Sequence, residues 1–242
     1  MFYFLAFRVI LRKTKKDEKK MEFISVFDVI GPNMIGPSSS HTAGAVRIAL
    51  LARKMMHRRI VKADFVLYRS FAETYRGHGT DRALVGGILG FKTDNPAIRD
   101  SLEIAEKEGL SVSFSCNREE KECHPNTVDI TMEDETGYRL SVRGESLGGG
   151  KARITRINGV KVELSGEYTS LLVVHTDYPG VLAHITEVLS SHHVNIAFLR
   201  LFRREKGGET YTIIESDDPV SKEAVAAINE NQHIRDTIVL KE

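Results

Sequence analysis

Ser38, Ser39, Ser40, His41 and Thr42 place four hydroxyls and one imidazole in five consecutive positions. Hydroxyls can hold a small carboxylate, and an imidazole with an ordinary pKa near ~6.5 can move a proton beside it. The residues that follow, Ala43 to Arg53, are rich in helix formers, with Val46, Ala49, Leu50 and Arg53 on one side. Pro37 biases Gly36 away from helix, and serine is a natural cap, so the pattern predicts a helix that begins in the serines. Arg53, Lys54, His57, Arg58 and Arg59 suit its C-terminal end, where cations oppose the dipole. Its other end offers N–H groups without intrahelical acceptors, which makes an anion site. A serine-rich turn before a helix is most simply a cap, but one hydroxyl is enough for that. Three serines followed by His-Thr exceed the requirement.

Composition narrows the classes. With 34 basic and 33 acidic residues the net charge is +1, so no clustered excess of cations argues for nucleic acid. Cys116 and Cys123 are the only cysteines, too few for a disulfide framework, a zinc site or an iron–sulfur cluster held by this chain alone. They read as small core residues or reduced thiols of a cytoplasmic protein. Met1 to Leu11 is apolar apart from Arg8, and a charged run follows. That stretch is too short to span a bilayer, which takes about 20 residues, and its charge lies on the wrong side for a secretory signal. The expectation is a biological start at Met21, with residues 1–20 a disordered extension from an upstream start, and no membrane association.

Two domains are expected, 21–160 and 168–242, joined by a linker at 161–167. In the first, strand patterns cover 61–71, 110–115, 127–132, 138–142, 152–157 and 160–164, and helical patterns cover 83–89 and 96–108. Helices and strands are segregated, so the fold class is α+β. Gly148-Gly149-Gly150 reads as a backbone crossing that needs small residues. Asp81, before the helix at 83–89, reads as a cap, and His78 is a further candidate for chemistry or capping. In the second domain the order strand 168–175, helix 181–191, strand 194–204, strand 210–215, a helix opening at Pro219 and strand 234–240 gives β-α-β-β-α-β, a ferredoxin-like arrangement. Outside the candidate sites, His57, His175, His184, His192, His193 and His233 read as solvated or capping residues.

The second domain resembles an ACT domain, the small amino-acid-sensing module, through Asp177, Pro179, Gly180 and Val181 at the first strand–helix turn and Asn195 at the next strand. The resemblance implies side-by-side pairing and an amino acid held near Asp177, Gly180 and Asn195. The first domain, through Ile35-Gly36-Pro37-Ser38-Ser39-Ser40-His41-Thr42-Ala43-Gly44, Gly77-His78-Gly79-Thr80-Asp81, His124-Pro125-Asn126 and the triple glycine, resembles the beta chain of iron–sulfur-dependent L-serine dehydratases. That family converts L-serine to pyruvate and ammonia with a [4Fe–4S] cluster ligated by a partner alpha chain. The resemblance implies no metal ligand in this chain, a homodimer or heterotetramer, substrate binding by Ser38, Ser39, Ser40 and Thr42, and proton transfer or substrate orientation by His41. The beta domain is also similar to the allosteric substrate-binding domain of some D-3-phosphoglycerate dehydrogenases, which implies an effector role for His124 and Asn126; a turn capped by His124 is the plainer reading. A serine sensor without a cluster partner, or a cluster-dependent elimination enzyme for threonine or cysteine, are the alternatives.

Overall fold

The computed structural model describes residues 33–166 and 169–240. Residues 1–20, the expected start at Met21 and Tyr168 lie outside the described residues. A turn of π-helix, Ser39–Ala43, runs directly into α1 (Gly44–Lys54). There follow β1 (Ile60–Tyr68), α2 (Arg69–Thr74), α3 (Thr80–Ile88), a 3-10 turn Pro96–Asp100 continuing as α4 (Ser101–Lys107), β2 (Ser111–Asn117), β3 (Thr127–Asp134), β4 (Arg139–Gly148), β5 (Lys151–Ile157) and β6 (Val160–Leu164). The second unit comprises β7 (Ser170–Thr176), α5 (Val181–Ser191), β8 (Ile196–Arg203), β9 (Glu209–Ser216), α6 (Lys222–Asn229) and β10 (Ile234–Leu240), the expected βαββαβ order.

The first sheet is ordered β2-β1-β3-β4-β5-β6. Only β1 and β2 pair in parallel, and the helices α2 to α4 form the crossover that parallel neighbours require. Alternation along β3 buries Val128, Ile130 and Met132 in the same core as Ala45, Val46, Ile48 and Ala49 of α1, which lies over β4 and β5. A buried Val, Ile or Met stabilises by about 1.5–3 kcal/mol, so this face holds the helix on the sheet. Helix α3 lies against α1 at Gly87, where a Cβ would come within 2.5 Å of Ala49 Cβ and 2.6 Å of the Val46 carbonyl oxygen. That glycine, near the C-terminal end of α3, sets how closely the two helices approach.

The second sheet is ordered β10-β7-β9-β8. One face, with Leu171, Val173 and Ile214, packs on Ile185 and Leu189 of α5 and Ile228 of α6. The opposite face sends Leu172, Tyr211, Ile213 and Ile238 into the core of the first unit. The two units therefore share a continuous apolar core, which the near-continuous apolar run of β7 makes possible.

Several expectations need correction. The linker at 161–167 is shorter, because Val160–Leu164 is the outer strand β6 of the first sheet and Leu164 is fully buried. The strand expected at 61–71 stops at Tyr68, where Arg69 turns the chain at φ 45° into α2. Helix α6 begins at Lys222 instead of Pro219, because Ser221 caps it by accepting from the Ala224 amide at 3.1 Å. The triple glycine is a hairpin between β4 and β5, with φ of 90°, 60° and 79°; a Cβ on Gly148 would meet nothing within 4 Å, so conformation and not crowding asks for glycine there. His175 is buried and bonded at both nitrogens, to the Thr176 carbonyl at 2.9 Å and Thr212 Oγ1 at 2.8 Å. Neither cysteine is a core residue, Cys116 being exposed and Cys123 half-buried.

The Gly87 contact yields a stability prediction. Gly87→Ala meets backbone atoms that cannot swing aside, and should lose about 1–3 kcal/mol in urea unfolding. Gly77→Ala, whose Cβ would lie 3.5 Å from its nearest neighbour, should stay within about 0.5 kcal/mol of the native chain. Equal midpoints for the two variants would show that α1 and α3 are not closely packed at Gly87.

Candidate active site

The heptad of residues 36–42 builds its site at the head of α1. Ser38 is extended, at φ −139° and ψ 123°, and its Oγ accepts from the His41 amide at 3.1 Å, so it is the cap. The wide first turn follows from the Ser38 carbonyl, which accepts from both Thr42 at 2.9 Å and Ala43 at 3.4 Å. Such π-turns occur frequently at functional sites, because they re-aim side chains at a helix end.

This turn places the His41 ring between hydroxyls. Nδ1 lies 3.0 Å from Ser40 Oγ and 3.3 Å from Ser38 Oγ, and these two oxygens are 3.3 Å apart. Nε2 lies 2.9 Å from Ser70 Oγ at the start of α2. The ring packs edge-on against Phe71 at 5.4 Å and His78 at 4.8 Å. Burial lowers the His41 pKa below its ordinary value, and the charge of a protonated His78 lowers it further. His41 is therefore held neutral, the form that can accept a proton.

The other expected residues fall around this ring with differing tasks. Ser39 is half-buried in the same turn, and its carbonyl accepts from the Gly44 amide. Thr42 is buried, and its hydroxyl donates to the His78 carbonyl at 3.0 Å, so it ties the head of α1 to the head of α3. His78 stands next to His41, and its Nδ1, like the buried Thr80 Oγ1, has no hydrogen-bond partner among the described residues. Buried polar atoms are rarely left unpaired, and here both fall at the heptad. Asp81 is not the cap of α3; Gly79, at φ 65°, occupies that position, and Asp81 sits in the first turn, where the helix dipole favours a carboxylate.

His124 and Asn126 come close to the same place through β4. Asn126 Nδ2 donates to the Ser146 carbonyl at 3.4 Å, and the Ser146 amide donates to the Asn126 carbonyl at 2.9 Å. Ser146 Oγ in turn donates to the Ser40 carbonyl at 2.8 Å. His124 Nδ1 accepts from the Asn126 amide at 3.2 Å, the capped turn that the sequence suggested. Burial is the largest influence on His124 and lowers its pKa; Glu145 opposes the shift, while Arg153 and Arg69 add to it.

The expected second ligand position is divided within one chain. Asp177 and Gly180 stand before α5, and Asn195 follows it, so eleven residues of helix, about 16 Å, separate them. Asp177 Oδ2 accepts from Arg203 and from the Gly207 amide, while Asn195 Nδ2 donates to Asp217 at 2.8 Å. Gly180, at φ 90°, leaves open space where a side chain would stand.

Sequence reasoning missed Ser70 and Ser146. Ser70 was hidden because the apolar alternation of β1 continues past Tyr68 with no glycine or proline to mark the break. Ser146 is an isolated serine in a strand, and only its contact with the Ser40 carbonyl singles it out.

Two family models match this chain: one described as "Serine dehydratase beta chain" over residues 25–156, the other as "ACT domain" over residues 169–232. Among curated relatives, a "Probable L-serine dehydratase, beta chain" of Bacillus subtilis is 44% identical over 83% of this chain and 90% of its own length. An "L-serine dehydratase, beta chain" of Peptoniphilus asaccharolyticus is 39% identical over 84% of this chain and 92% of its own length. A "D-3-phosphoglycerate dehydrogenase" of Methanocaldococcus jannaschii is 28% identical over 57% of this chain and 25% of its own length.

The electrostatics of the ring give a titration prediction. In the folded chain His41 should titrate below 6.5. As pH falls through the interval between 6.5 and that lower midpoint, the unfolded chain binds the proton first, so this residue's contribution to stability is lost with falling pH. Replacing His78 with Gln should raise the His41 midpoint yet leave it below 6.5, because burial is the larger cause. Ring-carbon NMR titration measures both, and a native midpoint at or above 6.5 would contradict this environment.

Proposed function

The chain belongs to the serine dehydratase beta chain family and carries an ACT domain, and from that premise we propose that it is one subunit of a lyase that converts L-serine to pyruvate and ammonia. The observation that carries the reading is an imidazole, kept neutral by burial, held by hydroxyls on both nitrogens at a helix head. The Ser39 and Ser40 amides and the Ser38, Ser39 and Ser40 hydroxyls suit the substrate carboxylate. His41 then accepts the Cα proton. The electron pair of that bond becomes the Cα–Cβ double bond as the Cβ–O bond breaks, and the resulting enamine tautomerises and hydrolyses to pyruvate and ammonia.

In this proposal the [4Fe–4S] cluster belongs to the partner alpha chain. The donor set here does not fit one: Cys116 Sγ donates to the Ala72 carbonyl at 3.7 Å and Cys123 Sγ to the Glu120 carbonyl at 3.6 Å. Among the described residues no group of three His, Cys, Asp or Glu is placed to hold a metal. Such a cluster supplies a Lewis acid for a leaving hydroxyl; this chain supplies carboxylate binding and the proton acceptor. Free cysteines suit a cytoplasmic setting, and no helix among the described residues is long and apolar enough to cross a membrane. The edge strand β8, with Phe198 and Leu201 exposed, suits pairing with a second copy through the ACT domains. An effector role for His124 and Asn126 is supported by their link through Ser146 to the Ser40 carbonyl.

Anaerobic co-expression with the cysteine-bearing alpha chain tests the reading. Pyruvate should form from L-serine with the pair and with neither chain alone. His41→Ala should lower turnover by at least about 100-fold with cluster content unchanged; near-native turnover would remove His41 from the chemistry. Serine binding without activity in the pair would favour a sensor. Asn126→Ala should change the shape of the serine saturation curve, and an identical curve would leave that turn without a regulatory role.

A further inference from the structure

Ser70 stands opposite the heptad on a segment that is itself firmly placed. The chain reverses at Arg69, a non-glycine residue at φ 45°, where backbone strain persists only if the surroundings hold it. They do so on both sides. Arg69 Nη1 donates to the Cys123 carbonyl at 2.7 Å, and the Phe71 amide donates to the Pro125 carbonyl at 3.4 Å. Within α2, Thr74 Oγ1 donates to the Ser70 carbonyl at 2.8 Å, and the Phe71 ring is fully buried. Ser70 Oγ is thus presented to His41 Nε2 at 2.9 Å from a separate and rigid element.

We propose that Ser70 is the positioning residue of His41, holding Nε2–H and so directing Nδ1, on the Ser38 and Ser40 side, toward the substrate. The inference rests on the serine dehydratase reading and extends it by assigning the reacting nitrogen. A base oriented by a third group through its other nitrogen is a general device of proton-transfer sites. In the neutral ring Nε2 donates to Ser70 Oγ and Nδ1 carries the lone pair. The Cα proton passes to Nδ1, giving an imidazolium whose Nε2–H bond to Ser70 strengthens with the charge. Ser38 and Ser40, which touch Nδ1 in the free chain, exchange that contact for the substrate. The ring then needs no rotation between binding and proton transfer.

The test reads the ring as well as the reaction. Nitrogen-15 NMR of the full chain should show His41 mainly as the Nε2–H tautomer. Ser70→Ala should mix the tautomers and lower the His41 midpoint, because the charged ring loses an acceptor. In the assembled pair Ser70→Ala should reduce kcat about 10- to 100-fold with KM changed less than about threefold, and Ser70→Thr, which keeps the hydroxyl, should recover most of the loss. An Nδ1–H ring in the native chain, or a His41 tautomer and midpoint untouched by Ser70→Ala, overturns the proposal whatever the activity. A native kcat in an active Ser70→Ala pair overturns it too. A native pair that makes no pyruvate instead contradicts the serine dehydratase reading, and the ring measurement then decides on Ser70 by itself.

Discussion

The Ser40 carbonyl is tied to strand β4 by the Ser146 hydroxyl, and that tie exists only because the head of α1 lies directly on the strand. Glycines on both elements permit the approach. A Cβ on Gly44 would lie 1.9 Å from Ser146 Oγ, and one on Gly144 would lie 2.2 Å from Ile48 Cγ2. Leaving a buried carbonyl unpaired costs about 1–3 kcal/mol, a sizeable part of the 5–15 kcal/mol that typically separates folded from unfolded chains. Its larger consequence is geometric. With the helix head fixed on β4, the first turn widens, Ser38 and Ser40 meet Nδ1 of His41, and Thr42 reaches the carbonyl of His78. Displacing the helix by even an ångström would strain the two ties that leave the turn, from Ser146 to the Ser40 carbonyl and from Thr42 to the His78 carbonyl.

Local chemistry was legible in the sequence where it is punctuated. The cap at Ser38, the helix after it and the βαββαβ order announce themselves through serine, proline and glycine at element ends. The heptad was readable as a site because it holds more hydroxyls than a cap needs. Ser70 was not, since an apolar alternation continues through a turn made at Arg69, a residue that gives no turn signal. The convergence of the heptad with His124 and Asn126 was equally hidden. It depends on the antiparallel register of β3 and β4, which sets Thr127 opposite Glu145 and so brings Asn126 to Ser146. Register is a property of paired strands, and a single strand's pattern does not contain it.

At the boundary between the two units the strand read at 160–164 is β6, which overlaps the linker expected at 161–167. What the sequence did not show is the packing: the second sheet buries one face on its own helices and the other on the first unit. The ACT domain meets the first unit beyond the C-terminal end of α1, where His57 pairs with Asp236 and Asn158 Nδ2 donates to Tyr211 Oη. In the proposed function the site is half of one. Hydroxyls, amides and a neutral imidazole would hold an amino acid and take its proton, and a partner chain would bring the cluster, since no three His, Cys, Asp or Glu among the described residues are placed to hold a metal.

Hydrogen exchange at the amides of Ser39 to Gly44 tests that central claim most directly. If this turn is the edge of a site completed by the cluster-bearing chain, those amides should exchange at least about 10-fold more slowly in the serine-loaded complex than in the chain alone. Exchange unchanged in a complex whose two chains co-purify would contradict the account.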